Sequence, residues 1–189
     1  MERLSDNYYV EKVLSGDTRS FAPLLDRYSN KVFTLIVRIV CNREDAEELT
    51  QDVFVKAFSS LSQFRRDSSF STWIYRIAYN IAVSATRKKR NIYIPIDEIV
   101  LKEASDEEAD RDDSIAEMRV VYLNRALKRL SHEERAVITF FYKDNQSMEE
   151  IAMITGLTET NVKTKIFRIR KKLLVLIKNM EGQTDGNER

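Results

Sequence analysis

Apolar residues recur at three- and four-residue intervals along most of this chain, the spacing of one face of an α-helix. Tyr9, Val10, Val13 and Leu14 form a first stripe that stops at Gly16, a natural helix terminator. Phe21, Leu24, Leu25, Tyr28 and Val32 repeat at helical spacing, and Val32–Val40 is apolar nearly all round, broken only by Thr34 and Arg38. A helix apolar on every side belongs at the centre of a bundle. Asn42 is placed to cap the next helix, residues 43–60, whose first turn carries Glu44 and Asp45 where the helix dipole favours anions. Ala46, Leu49, Val53 and Ala57 are its inward stripe. A polar loop, Gln63–Phe70, leads to a helix from about Ser71 to Arg90 with Ile74, Ile77, Ala78, Ile81 and Ala82 facing inward.

The C-terminal part reads the same way. Leu123, Ala126, Leu127 and Leu130 make one stripe. Ser131-His-Glu-Glu134 and Ser147-Met-Glu-Glu150 are capping boxes, each opening a helix: Ala136, Val137, Phe140 and Phe141 face inward in the first, Ile151, Ala152 and Ile154 in the second. The turn Thr155-Gly156-Leu157 follows, then a long helix over about 158–178. Ala152, Gly156 and Val162 have the spacing of a helix-turn-helix: a small residue for close approach, glycine for the turn, a branched residue to seal the angle. The second helix of such a unit enters the DNA major groove through its N-terminal residues. Here these are Glu159, Thr160, Asn161, Lys163, Thr164 and Lys165, with Arg168 beyond them.

Composition narrows the class. In 189 residues there are four glycines and two prolines, too few for a turn-rich β-sandwich. One cysteine (Cys41) and one histidine (His132) leave no disulfide framework and no Cys/His metal site. His132, inside a capping box, reads as a surface residue without a function. No apolar run reaches the length of a membrane span, and the first residues lack a signal-peptide pattern, so a cytoplasmic protein without direct membrane insertion is expected.

The net charge of +1 conceals three zones: residues 1–95 carry net +4, residues 96–121 net −7, and residues 122–189 net +4. The stretch Ser105–Asp113 has almost no apolar content and cannot bury a core. The expected fold is therefore all-α: an N-terminal helical bundle (1–93) and a C-terminal helix-turn-helix domain (119–181) joined by a flexible acidic linker (94–118). Opposite charges also allow the acidic and basic zones to associate.

Three surfaces carry candidate chemistry. Trp73, Arg76, Asn80 and Arg87 share one helix face, preceded by the Phe64-Arg65-Arg66 loop and followed by Lys88, Lys89 and Arg90. Aromatic rings stack on unpaired bases while cations hold phosphates, so this is a candidate single-strand surface. Trp73, Tyr75 and Tyr79 equally fit half-buried packing, and either basic segment fits a solvated helix face. Asp45, Glu48 and Asp52 form an acidic stripe beside Gln51 and Phe54, which suits either solvent or a basic partner.

The segments Asp45-Ala-Glu-Glu-Leu-Thr-Gln-Asp-Val-Phe54, Phe70-Ser-Thr-Trp-Ile-Tyr-Arg-Ile-Ala-Tyr-Asn80 and Met148-Glu-Glu-Ile-Ala-Met-Ile-Thr-Gly-Leu157 resemble those of bacterial sigma factors of the extracytoplasmic-function (ECF) type, which keep only regions 2 and 4. The resemblance covers roughly residues 5–180. It implies that Asp45, Glu48, Leu49, Gln51, Asp52 and Phe54 dock on the clamp coiled coil of the RNA polymerase β′ subunit. It implies that the Phe64–Arg66 loop captures a flipped base of the promoter −10 element. Trp73, Arg76, Asn80 and the Arg87–Arg90 run match the helix that melts and reads that element. Lys163, Thr164, Lys165, Phe167 and Arg168, with Thr160 and Asn161 before them, match the helix facing the −35 element. Lysine stands at 163 and 165 where many relatives have arginine; a point charge without the bidentate fork suits phosphate more than bases. The implied partners are core RNA polymerase (β′ clamp and β flap), promoter DNA and an anti-sigma factor, with no small-molecule substrate, no cofactor, no metal and no catalytic residue. The competing readings are a stand-alone helix-turn-helix regulator, which leaves the aromatic and basic helix unexplained, an adaptor or anti-regulator that binds proteins only, and an enzyme, which one histidine, one cysteine and no glycine-rich phosphate loop disfavour.

Overall fold

Local chemistry sets the helix ends. Ser5 caps α1 (Asp6–Leu14), its Oγ accepting the Tyr8 N–H at 3.3 Å. A 3₁₀ turn, Thr18–Phe21, leads into α2 (Ala22–Val40), with Pro23 in the first turn where its missing N–H is harmless. Asn42 Oδ1 accepts the Asp45 N–H at 2.9 Å and opens α3 (Arg43–Ser59). A second 3₁₀ turn, Leu61–Gln63, precedes α4 (Phe70–Lys89). The cap of α4 is Ser69, whose Oγ takes the Thr72 N–H at 3.1 Å. This computed structural model describes residues 4–89 and 113–184, and the side chains of residues 4–87 and 118–180. Helix α5 (Asp113–Lys128) begins inside the segment expected as linker; residues 94–112 of that segment lie outside the described residues. Both capping boxes form, opening α6 (His132–Tyr142) and α7 (Met148–Thr155). Thr158 accepts the Asn161 N–H at 3.2 Å, within the first turn of α8 (Glu159–Thr184).

The turn between α7 and α8 rests on Gly156, whose backbone is left-handed at φ 74° and whose N–H caps the Ala152 carbonyl at 2.9 Å. Nothing crowds the position of an added Cβ, so the cost of a side chain there is conformational alone. Gly156→Ala is expected to cost about 1 kcal/mol and lower the melting midpoint by about 2–4 °C, measured by calorimetry.

The apolar stripes pair as their spacing requires. Leu24, Val32, Leu35, Ile36 and Ile39 of α2 are fully or nearly fully buried against α3 and α4, where Ala46, Ala57, Ala78 and Ala82 let the helices approach. In the C-terminal unit, α5, α6 and α7 all lean on α8 through Ala126, Val137, Ile151, Ile154, Val162, Ile166 and Ile169.

The sequence leaves the arrangement of the two units open; in the structure they are docked. Helix α6 sits on α2 and α4, and α7 on α4, so one apolar cluster runs through both. At its centre Phe140, fully buried, meets the rings of Tyr75 and Tyr79 at centroid distances of 6.0 and 6.4 Å. Burying a side chain of that size contributes roughly 1.5–3 kcal/mol. Burial pushes the Tyr75 hydroxyl up to about 12, with nearby Asp144 adding to it, and raises Tyr79 too, so both phenols stay neutral. Of the two roles open to these tyrosines, this arrangement uses packing.

Candidate nucleic-acid interface

Helix α4 presents its outer face over a hollow of about 240 Å³, lined by Trp73, Arg76, Ile77 and Asn80 together with Lys56, Ser60 and Gln63. That is below the roughly 300–1,000 Å³ of pockets for drug-sized molecules, and the hollow is open to solvent. Arg76, Asn80 and Lys56 are exposed, while Trp73 is half-buried. The site thus offers an indole, an amide that both donates and accepts, and two cations.

Trp73 is held in place by aromatic packing. Phe64 and Phe70 lie at 5.2 and 5.6 Å from its ring, and Tyr28 at 5.5 Å from Phe70. Phe64, expected to capture a flipped base, is only 7% exposed here. Phe70 and Trp73 pack against its ring, so in this conformation it supports the indole. Behind them the Tyr28 hydroxyl donates to Asp6 at 2.5 Å, and Asp6 also pairs with Arg27. Burial, then the bond to Asp6, raises the Tyr28 hydroxyl far above its ordinary value.

The loop cations are engaged but accessible. Arg65 pairs with Asp67 at 3.2 Å, and Arg66, left-handed at φ 63°, pairs with Glu11 at 2.9 Å. Exposed pairs of this kind contribute at most about 1 kcal/mol, so a phosphate can displace the carboxylates. Arg87 continues the α4 face and donates to Glu133 of α6 at 2.9 Å. The side chains of Lys88 and Lys89, and all of Arg90, lie outside the described residues.

A second basic row lies on α8. Thr160, Asn161, Lys163, Thr164 and Arg168 are exposed, and Phe167 stands 68% exposed among them. Thr164 Oγ1 bonds back to the Thr160 carbonyl at 2.9 Å. Lys165 is half-buried, its Nζ 3.3 Å from the same Glu133 that takes Arg87. The hydrogen bond from Arg87, then the charge of Lys165, hold the Glu133 carboxyl below its ordinary value against the effect of burial. The stability these pairs add is present above the ordinary carboxylate range and fades as pH falls through the lowered value.

On α3, Glu48, Gln51 and Asp52 are exposed, while Asp45 and Leu49 are half-buried. Phe54 is 7% exposed and belongs to the bundle core, a correction to its expected place on the outer surface. The apolar groups that do stand out on α3 are Val55, 69% exposed one turn beyond Asp52, and Phe58.

Known proteins share this pattern. The profile of sigma-70 region 2 matches residues 24–92, and that of sigma-70 region 4 matches residues 121–173. The ECF RNA polymerase sigma factor SigW of Bacillus subtilis is 31% identical over 172 residues, 87% of this chain and 92% of the relative. The ECF RNA polymerase sigma-E factor of Escherichia coli K12 is 34% identical over 183 residues, 91% of this chain and 94% of that one. The chain belongs to the ECF sigma factors. Solved structures agree on the fold. CnrH, in complex with the cytosolic domain of CnrY, has a TM-score of 0.67 at 23% identity over 92% of this chain and 97% of that one. RpoE of Bartonella quintana, in complex with the anti-sigma factor NepR, has 0.66 at 24% identity, over 85% and 98%.

In this ECF sigma factor the fold brings Trp73, Arg76 and Asn80 to one hollow and keeps the α8 row together on another unit. Sequence reasoning missed Lys56, Ser60, Gln63 and Ile77. Lys56 follows Asp52 by four residues on the outer face of α3, a signal that was legible; Gln63 enters through a 3₁₀ turn that leaves no periodicity. His132, expected at the surface, is half-buried, with Nδ1 2.5 Å from the Ile39 carbonyl oxygen. Among the described residues, no helix is long and apolar enough to cross a membrane, and no His/Cys/Asp/Glu group is arranged to hold a metal.

Proposed function

We propose that this ECF sigma factor binds core RNA polymerase and directs it to promoters with two different grips. The hollow on α4 takes an unpaired base of the −10 element: Trp73 stacks on it, Asn80 bonds its edge, and Lys56, Arg65, Arg66, Arg76 and Arg87 hold the phosphates. The exposed row of α8 lies in the major groove of the −35 element, with Lys163 and Lys165 on phosphates and Arg168 at a base edge. The α3 face of Glu48, Gln51, Asp52 and Val55 meets the basic coiled coil of the β′ clamp, and the C-terminal unit meets the β flap. Residues 1–93 and 119–181 act as the two working domains and 94–118 as the acidic tether. The chain contributes recognition and melting, and the polymerase contributes the chemistry. An anti-sigma factor is a further partner, in line with the solved relative held by NepR.

One observation carries this reading: two basic surfaces of unlike design, a hollow lined by Trp73 and Asn80 and an open helical row, stand on separate helical units of one chain. Run-off transcription with purified core polymerase tests it. Asn80→Ala is expected to lower initiation about tenfold, the size of one lost base contact, while polymerase affinity holds. Asp52→Arg, on an exposed position, is expected to weaken polymerase binding at least about tenfold through like-charge contact, with no loss of fold. Equal losses in both assays from both variants would overturn the division of labour.

A further inference from the structure

One side chain of α6 ties the two DNA-facing helices together. Glu133 Oε1 accepts from Arg87 Nη2 of α4 at 2.9 Å, and its Oε2 accepts from Lys165 Nζ of α8 at 3.3 Å. An oxyanion accepting from one arginine and one lysine is the arrangement a backbone phosphate makes with the same cations. Around this contact α6 grips the N-terminal unit at three more points. Phe140 fills the space beside Tyr75 and Tyr79, His132 meets the Ile39 carbonyl at the end of α2, and Arg135 donates to Cys41 Sγ in the left-handed cap that follows.

We infer that α6 is an internal antagonist: in the free chain it holds the two units closed, and Glu133 occupies, as a phosphate mimic, one cation from each DNA grip. The inference rests on the proposed reading of α4 and α8 as those grips. Geometry supports it directly. Arg87 and Lys165 are each one hydrogen bond from a single carboxylate. Promoter elements at −10 and −35 stand more than one duplex turn apart, a turn being about 34–36 Å. The closed form cannot span them, so binding both requires α6 to leave α2 and α4. The contact that must break is the one that already neutralises two of the needed cations. Affinity for DNA is then reduced by the fraction of chain that stands open, and polymerase, by binding the separated units, raises that fraction.

Glu133→Lys in the full-length chain tests this, since it replaces both attractions with repulsion. Small-angle scattering is expected to show a larger radius of gyration than the parent. Affinity of the free chain for a −35 duplex is expected to rise about tenfold. With saturating core polymerase, where both proteins are already open, run-off yields should match. Glu133→Gln, isosteric and unable to hold two cations, should move the same way by a smaller step, and serves if the lysine variant melts early. Unchanged dimensions, or expansion without a gain in DNA affinity, overturns the latch. If the reading of the grips were wrong, the chain would still expand, but neither parent nor variant would start transcripts with polymerase.

Discussion

Alanine in place of Phe70 is expected to remove about 3–5 kcal/mol of stability, a large share of the roughly 5–15 kcal/mol that holds a typical domain. The ring is 2% exposed and lies between Tyr28, Phe64 and Trp73 at 5.5, 5.8 and 5.6 Å. It opens α4, so its loss leaves a cavity beneath the indole that floors the hollow. Transcription should fall with stability, and should stay low even at temperatures where circular dichroism shows the variant folded, because Trp73 has lost its support. Phe70→Leu keeps most of the volume and should cost under about 1.5 kcal/mol. Urea melts of both variants beside run-off assays check the expectation. A stable Phe70→Ala protein with full activity would show that neither the core nor the hollow depends on this ring.

The second large effect should leave stability untouched. Lys163 and Arg168 are exposed on α8, and surface changes of this kind stay within about 0.5 kcal/mol. Replacing both with alanine removes one phosphate contact and one base contact of the proposed −35 grip. Losses of about 1–3 kcal/mol at the base, plus the phosphate, give roughly a hundredfold weaker promoter binding by the assembled complex. The two losses separate by salt titration. Lys163→Ala should make the slope of log affinity against log salt shallower by about one, whereas Arg168→Ala should also relax discrimination at a single base position. A double variant with the parent's slope and affinity would remove α8 from the interface.

Much of the architecture is legible in the residue order because it depends on neighbours. The serines at 131 and 147 reach their own third N–H, Asn42 does the same, and Gly156 adopts a left-handed turn that few other residues tolerate. Such interactions close within one helical turn, and a short window of sequence contains every partner. The exposed cations of α8 were legible for the same reason, since one helix face is a fixed spacing. Phe54 and Phe64 were not. An aromatic residue on the edge of a stripe can turn inward or outward, and the choice depends on the space left by distant helices. Tyr75 and Tyr79 carry the same ambiguity, resolved only by the arrival of Phe140 on α6 from more than fifty positions along the chain, and His132 of α6 is resolved by the end of α2.

Eight helices' worth of amphipathic pattern, their caps, a helix-turn-helix and the segregation of charge follow from residue order, which also carries the family resemblance. The packing of distant helices is what joins Lys56, Ser60 and Gln63 to Trp73 and Asn80 around one hollow, and what stands Glu133 between Arg87 and Lys165. Helix formation is a short-range balance of hydrogen bonds and spacing. The pairing of surfaces depends on shape and charge brought together across the fold, where no periodicity in the chain records which residue will meet which.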